Sequence, residues 1–466
     1  MWALALALAW GLGLALPALL RGELIGSPHT DLYPSVWGLW WFAEQQPSLP
    51  TWTTALGAPE GMPFYYSSPL HGWAAWPLIG LLGVTTTWNV LVVAARVATV
   101  LCSYGAGRAW GLNETGALVS AAVFGCAPFF QGYAVEGIVE GLDGWTLALW
   151  LWLVALGRWR WASLAFALTV VSSWYLGAVA CVLAPFLRRG WASAAAGFVL
   201  ASPFLGEFLG AFPGVGAMDP DLRPLLGARP SLWTPALMAE NPLAITGWVG
   251  FTAPVLAVMA ARDRPWVAAA VVTCLVLATG VGPWYALPGF EAVRFPYRFI
   301  AGALAGIALL AGSRATWAGW APLIVLEGLL LSPIEPVIPG SPASVHPLYE
   351  RLEGKVLLDI PGVRAMPPGE VNLTRARARY VLYSQTVHGM GSPWVPDFNS
   401  VGVLASDDLN AVHELEKQDG ALQLPPDIDW VVVHTSQINQ GRAQRALEAD
   451  GWRLAHEEDD LQAWAR

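Results

Sequence analysis

Asp31 is the first side chain of this sequence whose type and setting suggest chemistry. It follows the first apolar segment closely and is succeeded by a row of aromatic side chains. Because the boundary of a low-dielectric region raises carboxylate pKa values toward neutrality, an aspartate placed there can serve as a general base. The alternative is structural: Thr30 or Asp31 caps a helix that Pro34 helps to start, and the aromatic row forms a belt at a membrane interface. That row consists of Tyr33, Trp37, Trp40 and Trp41.

Three acids cluster further along the chain, in Val-Glu-Gly-Ile-Val-Glu-Gly-Leu-Asp-Gly. They are Glu136, Glu140 and Asp143. Because Glu136 and Glu140 are four residues apart, both carboxylates would point the same way on a helical turn. Such a pair suits contact with sugar hydroxyls or ligation of a divalent cation, whose identity the sequence leaves open. The alternative is a solvated acidic loop.

Arg294 and Arg298 form a third candidate, in Val-Arg-Phe-Pro-Tyr-Arg-Phe. Two guanidinium forks at the entrance of a helix could clamp a phosphate through paired hydrogen bonds. The alternative pairs these arginines with Glu291 and with the phosphates of lipid headgroups.

Four further ionisable residues could line a cavity. Arg96 and Glu327 fall inside apolar segments, where a charge is costly and marks a functional site by default. The alternative is that they pair with each other or line the body of the helical domain. Glu207, near the end of another apolar segment, could face the same cavity. His71, in Ser-Ser-Pro-Leu-His-Gly-Trp, could line it too or cap a helix.

The composition shows what kind of chain must position these residues. Of the 466 residues, 55% are hydrophobic and only 13% are charged, about half of the charged fraction of roughly 25% in soluble domains. This excludes a water-soluble globule, and it excludes disordered and collagen-like chains as well. The formal charge of −9 argues against a nucleic-acid partner, because phosphate attracts basic proteins.

The charge is divided unevenly along the chain. Residues 1–334 contain 14 Arg, no Lys and 15 Asp or Glu, whereas residues 335–466 contain 11 Arg or Lys and 19 Asp or Glu. We therefore predict a transmembrane domain over residues 1–334 and a water-soluble acidic domain over residues 335–466.

The apolar segments predict about eleven membrane spans, since about 20 apolar residues cross a bilayer as a helix. The first is interpreted as an uncleaved helix, because no basic region precedes it. Trp161–Leu187 is interpreted as two short helices with a turn at Ser172-Ser173. The segments are Trp2–Leu20, Trp88–Gly107, Thr115–Phe130, Trp145–Gly157, Trp161–Leu187, Trp191–Ala211, Pro242–Ala261, Trp266–Val281, Phe299–Gly312 and Trp317–Leu331.

Arginines predict the orientation. By the positive-inside rule, the polar breaks that hold Arg are cytoplasmic and those that hold acids are external. This predicts a cytoplasmic N-terminus, a first external loop over about residues 21–87 and an external C-terminal domain. Pro69–Gly83 is then an external re-entrant or interfacial piece; if it spans the membrane instead, the first loop is cytoplasmic. The cytoplasmic breaks hold Arg108, Arg158, Arg160, Arg188, Arg189, Arg262, Arg264 and Arg314.

We predict that the C-terminal domain is a small α/β sandwich that follows a Pro-rich linker, Ser332–Pro347. Strands alternate with helices in its pattern. The predicted strands are Lys355–Ile360, Tyr380–Tyr383, Trp430–His434 and a final one within Trp452–Ala465, and the predicted helices are Asp407–Gln418 and Gln440–Ala449.

The whole pattern resembles the C-type (GT-C) superfamily of integral membrane glycosyltransferases, which use polyprenyl-phosphate sugars. The resemblance rests on one helix, a long external loop with an early aspartate and the motif Gly-Ala-Pro-Glu-Gly-Met-Pro-Phe-Tyr-Tyr-Ser-Ser-Pro-Leu-His-Gly-Trp from Gly57. It also rests on the stretch from Trp88 to Arg108, on the entrance at Arg294–Phe299 and on Asp-Trp-Val-Val-Val-His from Asp429. It implies an α-helical polytopic membrane fold with a small C-terminal α/β domain.

The resemblance also implies roles for particular residues. Asp31 matches the first-loop aspartate that acts as base in the family, although Thr30 stands where relatives often have a second acid. Many relatives carry a Gly-His pair in the second external loop, whereas here Gly137 and Gly141 follow glutamates. Arg294 and Arg298 would stabilise the leaving phosphate.

Taken with this resemblance, the sequence predicts transfer of a sugar from a polyprenyl-phosphate carrier to an acceptor hydroxyl at the outer face of a bacterial inner membrane. Asp31 would take the acceptor's proton, and a single displacement would invert the anomeric centre. Glu136 and Glu140 would bind acceptor or a divalent cation, and the C-terminal domain would recognise acceptor or a partner protein. The alternative is a non-catalytic scaffold or lipid-handling protein of the same fold. A secondary transporter is disfavoured because the sequence lacks an internal repeat.

Overall fold

A computed structural model describes residues 1–28, 30–46, 51–188, 190–211, 246–286, 293, 295–360, 373–393, 424–436 and 440–466. Arg294 and the predicted helix Asp407–Gln418 lie outside these residues.

The helices are, in chain order, α1 Trp2–Leu8, α2 Leu16–Leu20, α3 Leu32–Glu44, α4 Pro69–Ala109, α5 Glu114–Ser120, α6 Pro128–Glu136, α7 Gly144–Ala155, α8 Trp159–Ser172, α9 Trp174–Leu183, α10 Gly190–Ala211, α11 Thr252–Ala260, α12 Pro265–Ala278, α13 Ile300–Arg314, α14 Trp320–Leu331, α15 Leu373–His388 and α16 Gln440–Ala449. The strands are β1 Leu24–Ile25, β2 Trp52–Thr53, β3 Met62–Pro63, β4 Gly340–Ser341, β5 Leu357–Ile360, β6 Trp430–His434, β7 Arg453–Glu458 and β8 Leu461–Ala465.

The chain divides into two compact units. Unit 1 contains Met1–Ser27 and Tyr66–Pro342, and unit 2 contains Pro28–Tyr65 and Ala343–Arg466. This division differs from the predicted one in two respects: most of the first loop folds with the C-terminal domain, and the start of the linker stays with the helical unit. Pairing of β4 with β1 holds the linker there, because Leu24 lies opposite Ser341 and Gly26 donates to the Pro339 carbonyl at 2.8 Å.

Unit 1 is a bundle of apolar helices. Within the described residues, three helical stretches are long and apolar enough to cross a membrane, Pro69–Ala109, Glu114–Glu136 and Pro296–Arg314. Shorter apolar helices occupy most of the other predicted segments, and the total of about eleven spans stays a prediction. The core of the bundle contains fully buried aromatic side chains such as Trp150, Phe166 and Phe129.

Two predicted breaks occur within the bundle. Ser173 adopts extended dihedral angles between α8 and α9, and its hydroxyl accepts from the Leu176 N–H, which confirms the predicted turn at Ser172-Ser173. Gly83 interrupts α4 with a φ of 74°, a conformation that costs a glycine little. The predicted external piece Pro69–Gly83 thus ends where the helix breaks, although its depth in a membrane stays a prediction.

Unit 2 contains a four-stranded sheet with the order β5-β6-β8-β7. The first two strands are parallel, and the remaining pairs are antiparallel. The strand Trp430–His434 and the helix Gln440–Ala449 are confirmed, and Trp452–Ala465 forms a hairpin of two strands. The strand predicted at Tyr380–Tyr383 is wrong because these residues lie in α15. Aromatic residues favour strands only weakly, and here the helix places both tyrosines against one partner, Tyr33.

Candidate functional site

The three acids of the predicted cluster lie in a buried loop of unit 1, the acidic loop (Glu136–Asp143). Helix α6 ends at Glu136 because Gly137 takes a left-handed conformation with a φ of 67°. Glu140 then lies in a short 3₁₀ turn, and Asp143 is the N-cap of α7. The expectation that Glu136 and Glu140 share one helical face is therefore wrong, since the helix stops between them.

Glu140 forms an ion pair with Arg298. The two side chains are only 17% and 8% exposed. The Arg298 guanidinium also lies 3.8 Å from the ring centre of Tyr175 and 4.9 Å from that of Phe295, so aromatic faces complete its surroundings. Its Nε–H is buried and has no hydrogen-bond acceptor among the described residues. Arg298 thus keeps one donor for a further anionic or hydroxyl oxygen.

His71 is the partner of Asp143. The His71 Nδ1 lies 3.1 Å from Asp143 Oδ2 and 2.9 Å from the Ser68 hydroxyl. Asp143 is 1% exposed, and its other oxygen accepts from the indole N–H of Trp145 at 2.7 Å. His71 is in the first turn of α4, and its ring is bonded to the side chain of the N-cap residue Ser68. The spacing of His71 and Asp143 in the sequence carried no signal of this contact.

Tyr66 connects the two pairs electrostatically. Burial raises the pKa of its phenol well above the usual value, and the nearby carboxylates of Asp143 and Glu140 raise it further. The phenol is therefore neutral and remains a hydrogen-bond donor at any physiological pH. The carboxylates of Glu140 and Asp143 in the acidic loop thus lie near a guanidinium, an imidazole and the hydroxyl groups of Ser68 and Tyr66. This set is suited to binding sugar hydroxyls and a phosphate.

A metal centre is not formed by this arrangement. In the ranges that the structure describes, His, Cys, Asp and Glu side chains nowhere assemble in a group of three or more that could hold a metal ion. Glu140 and Asp143 instead face Arg298 and His71.

Asp31 lies in unit 2, at the N-cap of α3. Its backbone carbonyl accepts from the Ser35 N–H at 2.8 Å, and its half-buried carboxylate makes no capping bond to the helix. The aromatic row does not form an interfacial belt, because Trp37 and Trp41 are buried and stack with ring centres 6.1 Å apart. The N-cap alternative describes the backbone correctly, and the role of Asp31 as a base stays a prediction.

The alternative that pairs Arg96 with Glu327 is wrong. Arg96 Nη2 donates to the Trp10 carbonyl at 2.9 Å, in a stretch where the first helix is π-helical and wider. Glu327 accepts from the backbone N–H groups of Phe251 and Thr252, both at 3.0 Å, and therefore caps α11 from a neighbouring helix. Glu207 is exposed on α10.

Comparison with solved structures identifies the fold. The chain superposes over 99% of its length on the arabinofuranosyltransferase AftD from Mycobacteria, with a TM-score of 0.60 and 16% identity. The chain also superposes over 96% of its length on the oligosaccharyltransferase of Archaeoglobus fulgidus in complex with Zn and sulfate, with a TM-score of 0.53 and 11% identity. The structure of the same archaeal enzyme in complex with an inhibitory peptide and a dolichol-phosphate superposes with a TM-score of 0.54. Both neighbours are GT-C glycosyltransferases, so the predicted resemblance is confirmed and the chain has a GT-C fold.

The neighbours are longer proteins. The chain spans 41% of the AftD chain and 70% of the archaeal chain. No protein-family model matches the sequence, and neither does any curated protein.

Proposed function

We propose that the protein is a membrane glycosyltransferase that moves a sugar from a polyprenyl-phosphate donor to an acceptor hydroxyl. The observation that carries the proposal is the GT-C fold over 99% of the chain. The dolichol-phosphate complex of the archaeal neighbour supports a lipid phosphate as carrier. The Arg-containing breaks support an orientation with the N-terminus inside and unit 2 outside. The likeness to AftD from Mycobacteria supports a bacterial inner membrane. The partners are then the lipid-linked donor and the membrane itself.

Asp31 is the base in this proposal. Its carboxylate takes the proton of the acceptor hydroxyl as the oxygen attacks the anomeric carbon, while the bond to the donor phosphate breaks. One displacement without a covalent intermediate inverts the anomeric configuration. The place of Asp31 in the first loop, at the N-cap of α3, supports this role because it matches the place of the base in the resemblance.

Arg298 holds the leaving phosphate in this proposal, with Arg294 as a second cation. The negative charge that develops on the phosphate oxygen is stabilised by a guanidinium that is already buried and oriented by Glu140. The buried Nε–H, which has no acceptor among the described residues, supports this assignment. Contacts from Arg298 and Arg294 lower the energy of the departing phosphate more than that of the intact donor, because the negative charge grows as the bond breaks.

The acidic loop binds hydroxyl groups in this proposal. Glu136, Glu140 and Asp143 are hydrogen-bond acceptors, and Tyr66, Ser68 and His71 supply donors beside them. Buried polar groups of both kinds suit the alternating hydroxyls of a sugar ring. Glu140 and Asp143 are paired with Arg298 and His71, so the proposal assigns this loop to the binding of hydroxyl groups.

A transfer assay in membranes tests the proposal, with labelled polyprenyl-phosphate sugars as donors. We expect turnover by the wild type and a loss of at least about 100-fold in Asp31→Asn, since this change removes the base. Asp263→Asn is the matched control, because Asp263 pairs with Arg314 at an exposed site. Equal rates in wild type and Asp31→Asn would remove Asp31 from the mechanism. Absence of turnover with every donor would favour the non-catalytic scaffold.

A further inference from the structure

Gln385 joins the C-terminal domain to the first loop inside unit 2. Its amide Oε1 accepts from the Trp37 indole N–H at 2.7 Å, and its Nε2 donates to the Ala55 carbonyl at 2.9 Å. Gln385 is 2% exposed. A buried amide bonded at both ends fixes the relative position of its partners, because breaking either bond leaves a polar group unpaired. One side chain of α15 thus holds both α3 and the segment that follows it.

Three tyrosines add a second contact between the same helices. Tyr33, in the first turn of α3, stacks on Tyr383 with ring centres 5.3 Å apart. It also meets the edge of Tyr380 at 5.4 Å. The spacing of three residues puts both partners on one face of α15. Tyr33 is two residues from Asp31, so this packing bears directly on the start of the helix.

Backbone hydrogen bonds add a third contact. Leu56 pairs with Ser392 as a parallel bridge next to the sheet. Ser392 donates to the Ala55 carbonyl at 2.9 Å, and Ala58 donates to the Ser392 carbonyl at 3.1 Å. The first loop is therefore built into the fold of unit 2 at its backbone as well as its side chains.

We propose that Gln385 is a positioning residue for Asp31, and that the C-terminal domain serves catalysis by fixing α3, the helix that Asp31 caps. The proposal rests on the proposed function for the role of Asp31. Its reason is geometric: displacement of a reacting group by about 1 Å can cost about 100-fold in rate. A base at the first position of a helix moves with that helix, and α15 sets where the helix lies.

Hydrogen exchange of the full-length protein in detergent tests the positioning whether or not turnover is found. Gln385→Leu removes both bonds of the amide, so we expect amides of α3, among them Ser35, to exchange at least about tenfold faster. Gln385→Glu keeps an acceptor for Trp37 and should restore part of the protection. The control is Gln444→Leu, because the amide of Gln444 donates to the Glu448 side chain at 3.0 Å in an exposed hydrogen bond. Strand β6 should stay protected in all variants, which shows that unit 2 is folded. Unchanged exchange of α3 in Gln385→Leu overturns the proposal.

Kinetics separate positioning from general stability. In Gln385→Leu we expect kcat to fall about 10- to 100-fold with KM for the donor within about twofold. Trp37→Phe should have a similar effect, and the double variant should be no worse than either single one. Faster exchange with an unchanged kcat overturns the catalytic part. An inactive wild type refutes the proposed function instead, and the exchange data still decide whether Gln385 positions α3.

Discussion

Glu140 and Arg298 are separated by 158 residues in the sequence and form a buried ion pair. Each came from a different motif, one proposed to bind acceptor or cation and the other to bind phosphate. Their contact means that neither acts as an isolated charge. A buried pair of this kind orients its members more than it stabilises the fold, because removing both charges from water costs about as much as their attraction returns.

Glu140→Gln tests this pairing. The change leaves a buried guanidinium without its counter-charge, so we expect the free energy of unfolding to fall by about 3–5 kcal/mol. Thermal unfolding in detergent measures it. Asp263→Asn, which breaks an exposed pair, should cost about 1 kcal/mol or less. In Glu140→Leu with Arg298→Leu, most of the loss should be recovered. A Glu140→Gln protein as stable as the wild type would contradict the pairing.

His388 predicts a dependence of stability on pH in unit 2. Burial lowers the pKa of its imidazole from 6.5 to about 4, and its Nδ1 accepts from the Met390 N–H at 3.1 Å. The unfolded chain takes up this proton at a higher pH than the folded one does. The contribution of His388 is therefore complete above pH 6.5 and is lost as the pH falls toward 4, by up to about 3 kcal/mol.

Thermal unfolding of the full chain between pH 4 and 7 measures this effect. His388→Gln removes the titrating group, so its melting temperature should fall less with acidification than that of the wild type. His456→Gln, on the outer strand β7, is the matched control and should follow the wild type. Parallel pH profiles for all three proteins would contradict the assignment.

Local sequence signals predicted much of the fold. Ser172-Ser173 offered a polar turn in a segment too long for one short helix, and the β-branched run of Trp430–His434 matched a buried strand. The strand predicted at Tyr380–Tyr383 is wrong because the run Tyr-Val-Leu-Tyr suits a strand or a helix. The packing of both tyrosines on Tyr33 favours the helix. Such tertiary contacts override weak local preferences.

The sequence predicts which residues belong to the candidate site, but it does not predict which of them contact each other. His71, Glu140 and Arg298 were all singled out, yet their partners lie far away in the sequence, where periodicity carries no information. The alternative that pairs Arg96 with Glu327 is wrong because neither charge needs an opposite charge as its partner. Each instead uses backbone groups left free by the helices, a carbonyl in a π-turn and the N–H groups at a helix start.

Glu327 tests that explanation. Its carboxylate accepts from two N–H groups at the start of α11 and from the Thr252 hydroxyl at 2.7 Å, so Glu327→Ala leaves these donors unpaired. We expect a loss of about 1–3 kcal/mol in the free energy of unfolding, with a smaller loss in Glu327→Gln, which keeps one acceptor. Glu60→Ala, at an exposed site, is the control.

Because Glu327 stabilises a helix start in this interpretation, the turnover of the folded Glu327→Gln protein should match that of the wild type. A large loss of turnover at unchanged stability would instead place Glu327 in the reaction.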